Sequence, residues 1–342
     1  MEKIYFGGYT RNNNKGIHIY NIDADEKSLY LDKVGTIEEG SPTFIARSDE
    51  DELIFSITTR EDGGVASYSY KDGDYVLVDT LGGMGKSPCH LYWDKSKRLL
   101  YSSNYHLGKL DVIKVDDNGK MKIVHTEKYS GKSIISPDQD SSKCHMAIKD
   151  RDDRYLIVID LGDDSVYSYE VEESGKLIKK SVYKTVSGMG PRHIAFGKNG
   201  EYAYLIGELN SEIQVLSYDK EEGVFTYISS ISTLPEGFEG VNTASAVKCS
   251  SDGNYLYASN RGDDSIAIYK IGENGELEKI EIVKTGGKTP RDFGFSENGA
   301  YMFIGHQNDE KITVFNVDKK TGKIHHINNM DIQESEIVCV MN

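Results

Sequence analysis

The sequence predicts an all-β fold, a seven-bladed β-propeller with four-stranded antiparallel blades. Three observations predict it. The composition is that of strands and tight turns, with 34 glycines, 23 tyrosines and only six prolines in 342 residues. A unit of about fifty residues recurs along the chain, and each chain end holds part of one further unit. We therefore expect one propeller domain over residues 1–342.

Tight turns are marked by Asn-Gly and Asp-Gly dipeptides that separate short β-prone runs. They begin at Asn118, Asn199, Asp252, Asn274 and Asn298. Such dipeptides favour the turns that join antiparallel strands. Between them side chains alternate with a period of two, so that Leu256 and Ala258 lie opposite Tyr257. No segment keeps a helical period over three turns, and we expect mostly strands.

Six similar segments mark the start of six units, each entering a first strand. Their equivalent positions are Pro42, Pro88, Cys144, Pro191, Ala244 and Pro290, spaced by 46, 56, 47, 53 and 46 residues. The predicted second strands are Leu53–Ile57, Leu99–Ser103, Tyr155–Ile159, Tyr202–Ile206, Tyr255–Ser259 and Tyr301–Gly305. Predicted third strands include Gly64–Tyr70, Ser165–Val171, Ile213–Tyr218, Ser265–Ile271 and Lys311–Val317. With a more polar fourth strand, this period is typical of propeller blades.

The two chain ends are expected to complete a seventh blade. Residues 4–35 supply a second, third and fourth strand, whereas Glu336–Val340 resembles an isolated first strand. Pairing the C-terminal strand with the N-terminal blade closes the ring and leaves no free sheet edge. Loss of the last seven residues should then open the ring.

The charge and the cysteines limit the possible partners and location. Forty basic against 55 acidic residues give a net charge of −15, which disfavours nucleic-acid binding. No apolar run approaches the roughly 18 residues of a membrane span, and the N-terminus lacks the apolar core of a secretory signal. Four widely spaced cysteines indicate reduced thiols. We expect a cytoplasmic monomer or weak homo-oligomer that does not bind membranes.

Polar and ionisable residues accumulate at three equivalent positions of consecutive units. One residue past the starting position stand Thr43, Cys89, His145, Arg192, Ser245 and Arg291. Seventeen residues past it stand Thr59, Tyr105, Leu161, Glu208, Arg261 and Gln307, with Tyr9 as the counterpart in the split blade. Sixteen residues past it stand Thr58, Asn104, Asp160, Gly207, Asn260 and His306. A first strand begins, and a second strand ends, at the same rim, so these positions predict a site for an anion at the channel mouth.

Each of these residues also has a purely structural interpretation. Asn104, Asp160 and Asn260 can cap strand ends through bonds to the backbone. Arg192 and Arg291 can form salt bridges between blades, and Glu208 can neutralise Arg192. Tyr105 is as well explained by packing.

The candidate histidines are ranked only by their positions in the repeat. We prefer His145 because it shares its position with two arginines. His90 and His193 stand one residue further on and either face the channel or face away from it.

Other motifs carry less information. Gly85-Lys86-Ser87, Gly131-Lys132-Ser133 and Gly287-Lys288-Thr289 imitate the end of a phosphate-binding loop. The first glycine of that motif is missing each time, so we interpret them as turns between blades. The adjacent pairs Cys89-His90 and Cys144-His145 diverge on a strand and do not suggest a metal site.

Four segments carry a resemblance that covers essentially the whole chain. They are Gly190-Pro-Arg-His-Ile-Ala-Phe196, Tyr257-Ala-Ser-Asn-Arg-Gly-Asp-Asp-Ser-Ile266, Thr289-Pro-Arg-Asp-Phe293 and Asp160-Leu-Gly-Asp-Asp164. With the repeats aligned, the chain resembles the lactonase family of seven-bladed propellers, which includes bacterial 6-phosphogluconolactonases and fungal carboxymuconate cyclases. Two segments depart from the family pattern. Ser142-Lys-Cys-His145 replaces a Pro-His-Pro-His-like stretch, and Gly207-Glu208-Leu209 replaces the usual Asn-Glu.

The resemblance implies a hydrolase that opens a sugar-phosphate lactone, 6-phosphogluconolactone of the pentose phosphate pathway, without cofactor or metal. The family's catalytic histidine, arginines and glutamate match His145, Arg192, Glu208 and Arg261. In this hypothesis Glu208 or His145 is the general base and Arg192 or Arg261 stabilises the oxyanion. Arg291 with His306 holds the phosphate. Further substrate contacts are expected from Asn104, Tyr105, His193 and Asn260.

The sequence leaves three other functions open. A carboxymuconate-type cyclase would bind a tricarboxylate with the same arginines. A non-catalytic interaction propeller would lack converging ionisable groups at the channel mouth. A calcium-dependent sugar lactonase would need Glu208, Asp160 and Asn260 to converge on the axis.

Overall fold

Seven four-stranded antiparallel sheets form a closed ring of blades in the computed structural model, which describes residues 2–25, 27–48 and 52–342. From the ring axis outwards, blade 1 contains β28 (Ile337–Met341), β1 (Glu2–Gly8), β2 (Gly16–Ala24) and β3 (Leu29–Glu38). Blade 2 contains β4 (Ile45–Ser48), β5 (Leu53–Thr58), β6 (Gly64–Lys71) and β7 (Asp74–Leu81). Blade 3 contains β8 (His90–Asp94), β9 (Leu99–Asn104), β10 (Lys109–Val115) and β11 (Met121–Lys128).

The remaining four blades follow in chain order. Blade 4 contains β12 (Cys144–Lys149), β13 (Leu156–Asp160), β14 (Ser165–Val171) and β15 (Leu177–Lys184). Blade 5 contains β16 (Pro191–Phe196), β17 (Tyr202–Gly207), β18 (Glu212–Asp219) and β19 (Val224–Ser232). Blade 6 contains β20 (Thr243–Cys249), β21 (Tyr255–Arg261), β22 (Ser265–Ile271) and β23 (Leu277–Lys284). Blade 7 contains β24 (Pro290–Phe295), β25 (Tyr301–His306), β26 (Ile312–Val317) and β27 (Ile324–His326).

Helical structure within the described ranges is limited to two single 3-10 turns, Arg60–Asp62 and Asn328–Met330. Accordingly, no helix among the described residues has the length and apolarity needed to cross a membrane.

The repeat analysis predicted the strands well. Every predicted second and third strand coincides with an observed one to within two residues at either end. The glycines of the five Asn-Gly and Asp-Gly turns have positive φ values between 68° and 84°, a conformation that glycine adopts without a steric penalty. All four cysteines are free thiols, as their spacing predicted.

The ring closes through the two chain ends, which confirms the predicted seventh blade. In the antiparallel pair of β28 and β1, Val340 lies opposite Phe6 and Cys339 opposite Gly7. Glycine is required in β1, because a Cβ on Gly8 would come within 2.3 Å of the carbonyl oxygen of Glu336. The side chains of β28 from Ile337 to Val340 are at most 3% exposed. The tail is therefore an integral part of the core.

The hydrophobic core lies between neighbouring blades. Between blades 3 and 4, for example, Tyr101 and Val112 pack in the same buried cluster as Val158 and Tyr169. Each blade buries both faces in this way, which removes apolar surface from water all around the ring.

A register shift interrupts the innermost strand of three blades that contribute to the site, blades 4, 5 and 7. The ladder between the first and second strands skips His145 in β12, Arg192 in β16 and Arg291 in β24. A bulge of this kind leaves one residue unpaired and redirects its side chain. These three residues are those that the sequence repeat placed one position past the start of the unit.

Candidate active site

A cavity of about 490 Å³ lies at one mouth of the channel, where the innermost strands begin and the second strands end. Two of the predicted positions supply most of its polar lining. From the first come Thr43, Cys89, His145, Arg192 and Arg291, and from the second come Tyr9, Thr59, Tyr105, Glu208 and Arg261. Further lining residues are Ser41, Phe44, Lys86, Ser87, Pro88, His106, His193, Asp292 and Val338. The predicted convergence of distant residues on one mouth is therefore observed.

A buried ion-pair cluster forms the centre of the cavity. The Oε2 atom of Glu208 lies 2.8 Å from Nε of Arg192 and 2.9 Å from Nη2 of Arg261. Burial alone would raise the pKa of the Glu208 carboxyl, but Arg261, Arg192 and Arg291 together lower it below its usual value. Glu208 is thus ionised at neutral pH, and the cluster carries more positive than negative charge.

The guanidinium of Arg192 is fixed by the neighbouring blade and by a histidine. Its Nη1 atom donates to the carbonyl oxygen of Ser245 at 3.0 Å and contacts Nε2 of His193 at 3.1 Å. Because a guanidinium can only donate, Nε2 of His193 accepts and the ring proton sits on Nδ1. Burial and the charge of Arg192 keep the pKa of His193 well below its usual value, so this ring is neutral.

Arg261 is held by the backbone at the start of its own blade. Its Nη2 atom donates to the carbonyl oxygen of Ala244 at 3.0 Å, and its Nε atom donates to that of Thr243 at 3.4 Å. Burial lowers the pKa of Arg261, whereas the ion pair with Glu208 opposes the shift. Arg192 and Arg261 therefore approach Glu208 from two blades, and backbone carbonyl oxygens hold both guanidiniums.

Arg291 differs from these two arginines because it is not paired with an acid. Its Nη1 atom donates to Oε1 of Gln307 at 2.8 Å, and no carboxylate among the described residues forms an ion pair with it. The exposed Lys86 at the cavity edge also lacks an acidic partner within the described ranges. The second lining carboxylate, Asp292, is already paired with Lys248 at 2.9 Å. The cavity therefore has an excess of positive charge.

His145 lies buried at the side of the cavity, with 4% of its surface exposed. Its ring centroid is 5.9 Å from that of Tyr105 and 5.3 Å from that of His193. Burial and the nearby Arg192 and Arg291 hold the pKa of His145 well below its usual value. Its Nδ1 atom has no hydrogen-bond partner within the described part of the chain. At neutral pH this is an uncharged imidazole facing a cationic pocket.

Two further lining groups are kept in their protonated forms. Burial raises the pKa of the Tyr105 hydroxyl to about 12 and that of the Cys89 thiol to about 11. The Cys89 sulfur contacts the carbonyl oxygen of His145 at 3.3 Å. A protonated thiol that is engaged with a carbonyl oxygen is a poor nucleophile. We therefore interpret Cys89 as a packing residue of the site.

The structure places three of the predicted substrate contacts, Asn104, Asn260 and His306, outside the cavity. The Nδ2 atom of Asn104 donates to the carbonyl oxygen of Lys86 at 2.7 Å, and that of Asn260 donates to Thr233 at 2.8 Å. His306 is fully buried with Nε2 at 2.9 Å from Oγ1 of Thr313. Successive strand residues point to opposite sides. The position sixteen past the start therefore faces between blades, whereas the next residue faces the cavity.

The hydrogen bonds of Asn104, Asn260 and Asp160 agree with the capping interpretation made for all three. The Oδ1 atom of Asp160 accepts backbone N–H groups of Lys143 at 2.7 Å and Gly162 at 2.9 Å. A calcium-dependent lactonase would need Asp160 and Asn260 to converge with Glu208, and the structure does not bring these residues together. Within the described ranges no three His, Cys, Asp or Glu side chains are arranged to hold a metal ion.

The sequence left the direction of His90 and His193 open, and the structure settles it. His193 lines the cavity. His90 lies deeper in the channel, 6.0 Å from His193 and 4.2 Å from Phe44 between ring centroids. The bulge at Arg192 explains why two adjacent residues both reach the channel.

Sequence reasoning missed Lys86, Ser87 and His106 as site residues. Lys86 and Ser87 lie in a turn between β7 and β8, as their interpretation as an inter-blade turn predicted. His106 follows β9, directly after Tyr105. Ser87 directly precedes the starting position Pro88 and His106 directly follows Tyr105, and this adjacency is the one signal that could have revealed them. Lys86 lies one residue further away in the turn.

Comparison with known proteins gives a consistent result over the whole chain. The sequence profile of the family described as "Lactonase, 7-bladed beta-propeller" matches residues 3–342. A Lactococcus lactis subsp. cremoris protein, named only as uncharacterized, is 39% identical over 342 residues, covering 99% of each chain. The 6-phosphogluconolactonase of Bacillus subtilis is 31% identical over 325 residues, covering 94% of this chain and 92% of that protein.

Among solved structures, one from Lactobacillus plantarum is similar over the full ring. It superimposes with a TM-score of 0.94 at 34% identity and covers 99% of this chain and 98% of that one. The similarity thus includes every blade that contributes a side chain to the cavity.

Proposed function

The chain belongs to the lactonase family of seven-bladed β-propellers, and from this premise we propose that it hydrolyses a phosphorylated sugar lactone, 6-phosphogluconolactone. The observation that carries the proposal is the charge of the cavity. Three arginines and Lys86 line it, against Glu208 and the already paired Asp292. A ligand with two negative charges would compensate this excess. The Bacillus subtilis relative, named as a 6-phosphogluconolactonase, supports the same substrate.

The geometry suggests how the lactone carbonyl would be polarised. Nη2 of Arg192 and Nη1 of Arg261 make no hydrogen bond to any described residue. Both guanidiniums are held in place by backbone carbonyls and by Glu208. Fixed donors of this kind stabilise the oxyanion of a tetrahedral intermediate without reorganising during the reaction. We assign oxyanion stabilisation to these two groups.

Glu208 is the group that we assign as general base. Both guanidiniums make their closest contact with its Oε2 atom, which leaves Oε1 to receive a proton from water. The water oxygen then bonds to the lactone carbonyl carbon, and collapse of the intermediate breaks the bond to the ring oxygen. The proton held by Glu208 passes to that oxygen, which becomes a hydroxyl group of the product acid. His145, uncharged and adjacent, orients the water.

The phosphate is assigned to Arg291 and Lys86 in place of the predicted pair of Arg291 and His306. Both cations lack a carboxylate partner among the described residues, and both line the cavity. Charge-assisted hydrogen bonds to phosphate oxygens are stronger than neutral ones. In this arrangement the lactone ring lies toward Glu208 and the phosphate lies toward the cavity edge.

Kinetics with two substrates test the proposal. Freshly prepared 6-phosphogluconolactone and glucono-δ-lactone are compared, each corrected for spontaneous hydrolysis. We expect kcat/KM to be at least about tenfold higher for the phosphorylated lactone, since one charge-assisted contact contributes about 1.5–3 kcal/mol. Arg291→Met should remove this preference by raising KM, whereas Lys270→Met, an exposed lysine on β22, should not.

Absence of turnover of both lactones above the spontaneous rate would refute the proposed function. Conversion of a carboxymuconate by the same preparation would instead assign the site to the cyclase reaction, since the arginine excess also suits a tricarboxylate. Equal kcat/KM values for the two lactones would retain lactone hydrolysis but exclude the phosphate assignment.

A further inference from the structure

The channel has a second cavity at its opposite mouth, with a volume of about 460 Å³. Its walls come from the far ends of the innermost strands, among them Tyr92 of β8, Ile148 of β12, Phe196 of β16 and Val247 of β20. Phe44, His193 and Asp292 line both cavities and separate them. Small-molecule sites in proteins have volumes of about 300–1,000 Å³ and mostly apolar linings, and this cavity fits both descriptions.

Two buried polar side chains on this cavity make no hydrogen bond within the part of the chain that the structure describes. Lys149 is 6% exposed and lines the cavity, and its ammonium group makes no hydrogen bond or ion pair with the described residues. His90 is 2% exposed and lines it too, and neither ring nitrogen is hydrogen-bonded within the described ranges. Buried polar groups are nearly always hydrogen-bonded, and a buried unpaired charge destabilises the fold. Such groups on the wall of a cavity are placed to bind a ligand of complementary charge.

Asp94, Asp150 and Asp153 attract the ammonium group of Lys149 from a distance, but none of them forms an ion pair with it. Two of the three carboxylates on the cavity have other partners. Asp150 accepts hydrogen bonds from the N–H of Arg154 at 2.8 Å and from the hydroxyl of Tyr218 at 2.9 Å. Asp292 is paired with Lys248 and accepts the N–H of Val340.

The third carboxylate, Asp153, stands in an exposed turn. Arg151, also on the cavity, donates to the carbonyl oxygen of Phe196 at 3.3 Å and has no acidic partner within the described ranges. Two cations, Lys149 and Arg151, therefore remain available beside an apolar wall.

We propose that this second cavity binds a small organic carboxylate with an aromatic or branched apolar body. The carboxylate lies on Lys149 and Arg151, and the body packs against Tyr92, Ile148 and Phe196. The three carboxylates around the cavity favour a monoanion over a phosphate dianion, in contrast to the arginine-rich cavity at the other mouth. This inference does not depend on the proposed lactonase activity.

Methyl NMR of the full chain, labelled with ¹³C-methyl methionine, tests the proposal. Met146 lines the second cavity but not the first, and Met146→Leu assigns its signal. Benzoate is the probe, and benzamide is its neutral analogue of the same shape. We expect a saturable shift of the Met146 signal with benzoate and binding at least tenfold weaker with benzamide.

Three variants locate the binding and separate it from folding. Lys149→Met should weaken benzoate binding at least tenfold while the melting temperature of the free protein stays equal or rises, because an unpaired buried charge is removed. Lys198→Met, an exposed lysine after β16 on the same side of the ring, and Arg291→Met, in the other cavity, should bind benzoate as the unmodified chain does.

Any of three binding results overturns the proposal. These are no saturable Met146 shift, equal affinity for benzoate and benzamide, or unchanged benzoate binding in Lys149→Met. A lower melting temperature of Lys149→Met would also overturn the proposal. That result would show that the ammonium group stabilises the fold of the free protein.

Discussion

The Oε2 atom of Glu208 lies 2.8 Å from Nε of Arg192, in an ion pair that joins the start of β16 to the residue directly after β17. The arginine side chain is 3% exposed and the glutamate side chain 18% exposed. Removing one member of such a pair leaves the other charge buried without compensation. Glu208 therefore stabilises the fold in addition to its assigned role as the base. The melting temperature reports the first role, and kcat reports the second.

Glu208→Gln should lower kcat for lactone hydrolysis by about 10²–10⁴-fold, the usual contribution of a positioned base. It should also lower the melting temperature, because Arg192, Arg261 and Arg291 then repel one another without a countercharge. Added phosphate should restore the melting temperature but not kcat. Steady-state kinetics and thermal scans check this, with exposed Glu201→Gln as the control. Full kcat in Glu208→Gln would exclude its assignment as the base.

The pH dependence of hydrolysis should show no acid limb near pH 6.5. Arginines lower the pKa of Glu208 below its usual 4.5, and burial with Arg192 holds that of His145 well below 6.5. A lowered pKa means that the base form persists as the pH falls, so activity is lost only below these usual values. We expect kcat/KM for glucono-δ-lactone, which has no phosphate group with a second pKa near 6, to be constant from about pH 5.5 to 8. A limb centred near pH 6.5 would contradict the lowered pKa of His145 and reopen its role.

Asp160→Asn should stabilise the protein at pH 8. Burial raises the pKa of Asp160 to about 6, and the folded state therefore binds this proton more tightly than the unfolded state. Stability is consequently lost as the pH rises from about 4 to 6, by roughly 1–3 kcal/mol for a shift of about two units. Asparagine already occupies the equivalent positions 104 and 260. The amide keeps the acceptor oxygen and removes the charge.

Urea unfolding at two pH values checks the Asp160 prediction. The difference between Asp160→Asn and the unmodified chain should be largest at pH 8 and vanish near pH 4. Asp32→Asn, at an exposed position of β3, should change neither value. A variant less stable than the unmodified chain at pH 8 would show that the charge of Asp160 is required.

Deletion of residues 336–342 should abolish cooperative unfolding. Four side chains of β28, from Ile337 to Val340, are almost completely buried. Ile337, Val338 and Val340 each contribute about 1.5–3 kcal/mol, a sum comparable with the whole stability of a typical domain. Size-exclusion chromatography and near-ultraviolet circular dichroism should show an expanded or associated chain. Deletion of Asn342 alone is the control, and a compact ring without β28 would contradict the prediction.

The fold was predictable because every blade repeats the same pattern. The six aligned units predicted the strand bounds to within two residues. The incomplete units at the two chain ends predicted the pairing that closes the ring. Of the candidate site residues, the two positions seen one and seventeen residues past each start reach the cavity in most blades. A one-residue error in a strand reverses the direction of the side chain. This explains why His306 and the two asparagines, one residue earlier, point between blades instead.

The rest depends on geometry that a single sequence does not encode. The bulge at Arg192 turns both Arg192 and His193 toward the channel, although simple alternation would separate them. The position of Lys86 depends on the path of a turn between blades, where no periodicity applies. The shared contact of Arg192 and Arg261 with one oxygen of Glu208 involves three distant residues, which only the closed ring brings together.

The gathering of three arginines and Lys86 in one recess has a kinetic consequence for a chain of net charge −15. An approaching dianion meets a repulsive field far from the protein and an attractive one within a few ångströms of the opening. Mobile ions screen the distant part first, because the Debye length at 0.15 M salt is about 8 Å. Moderate salt should therefore speed the association of an anionic ligand, the reverse of the usual effect on steering between opposite charges.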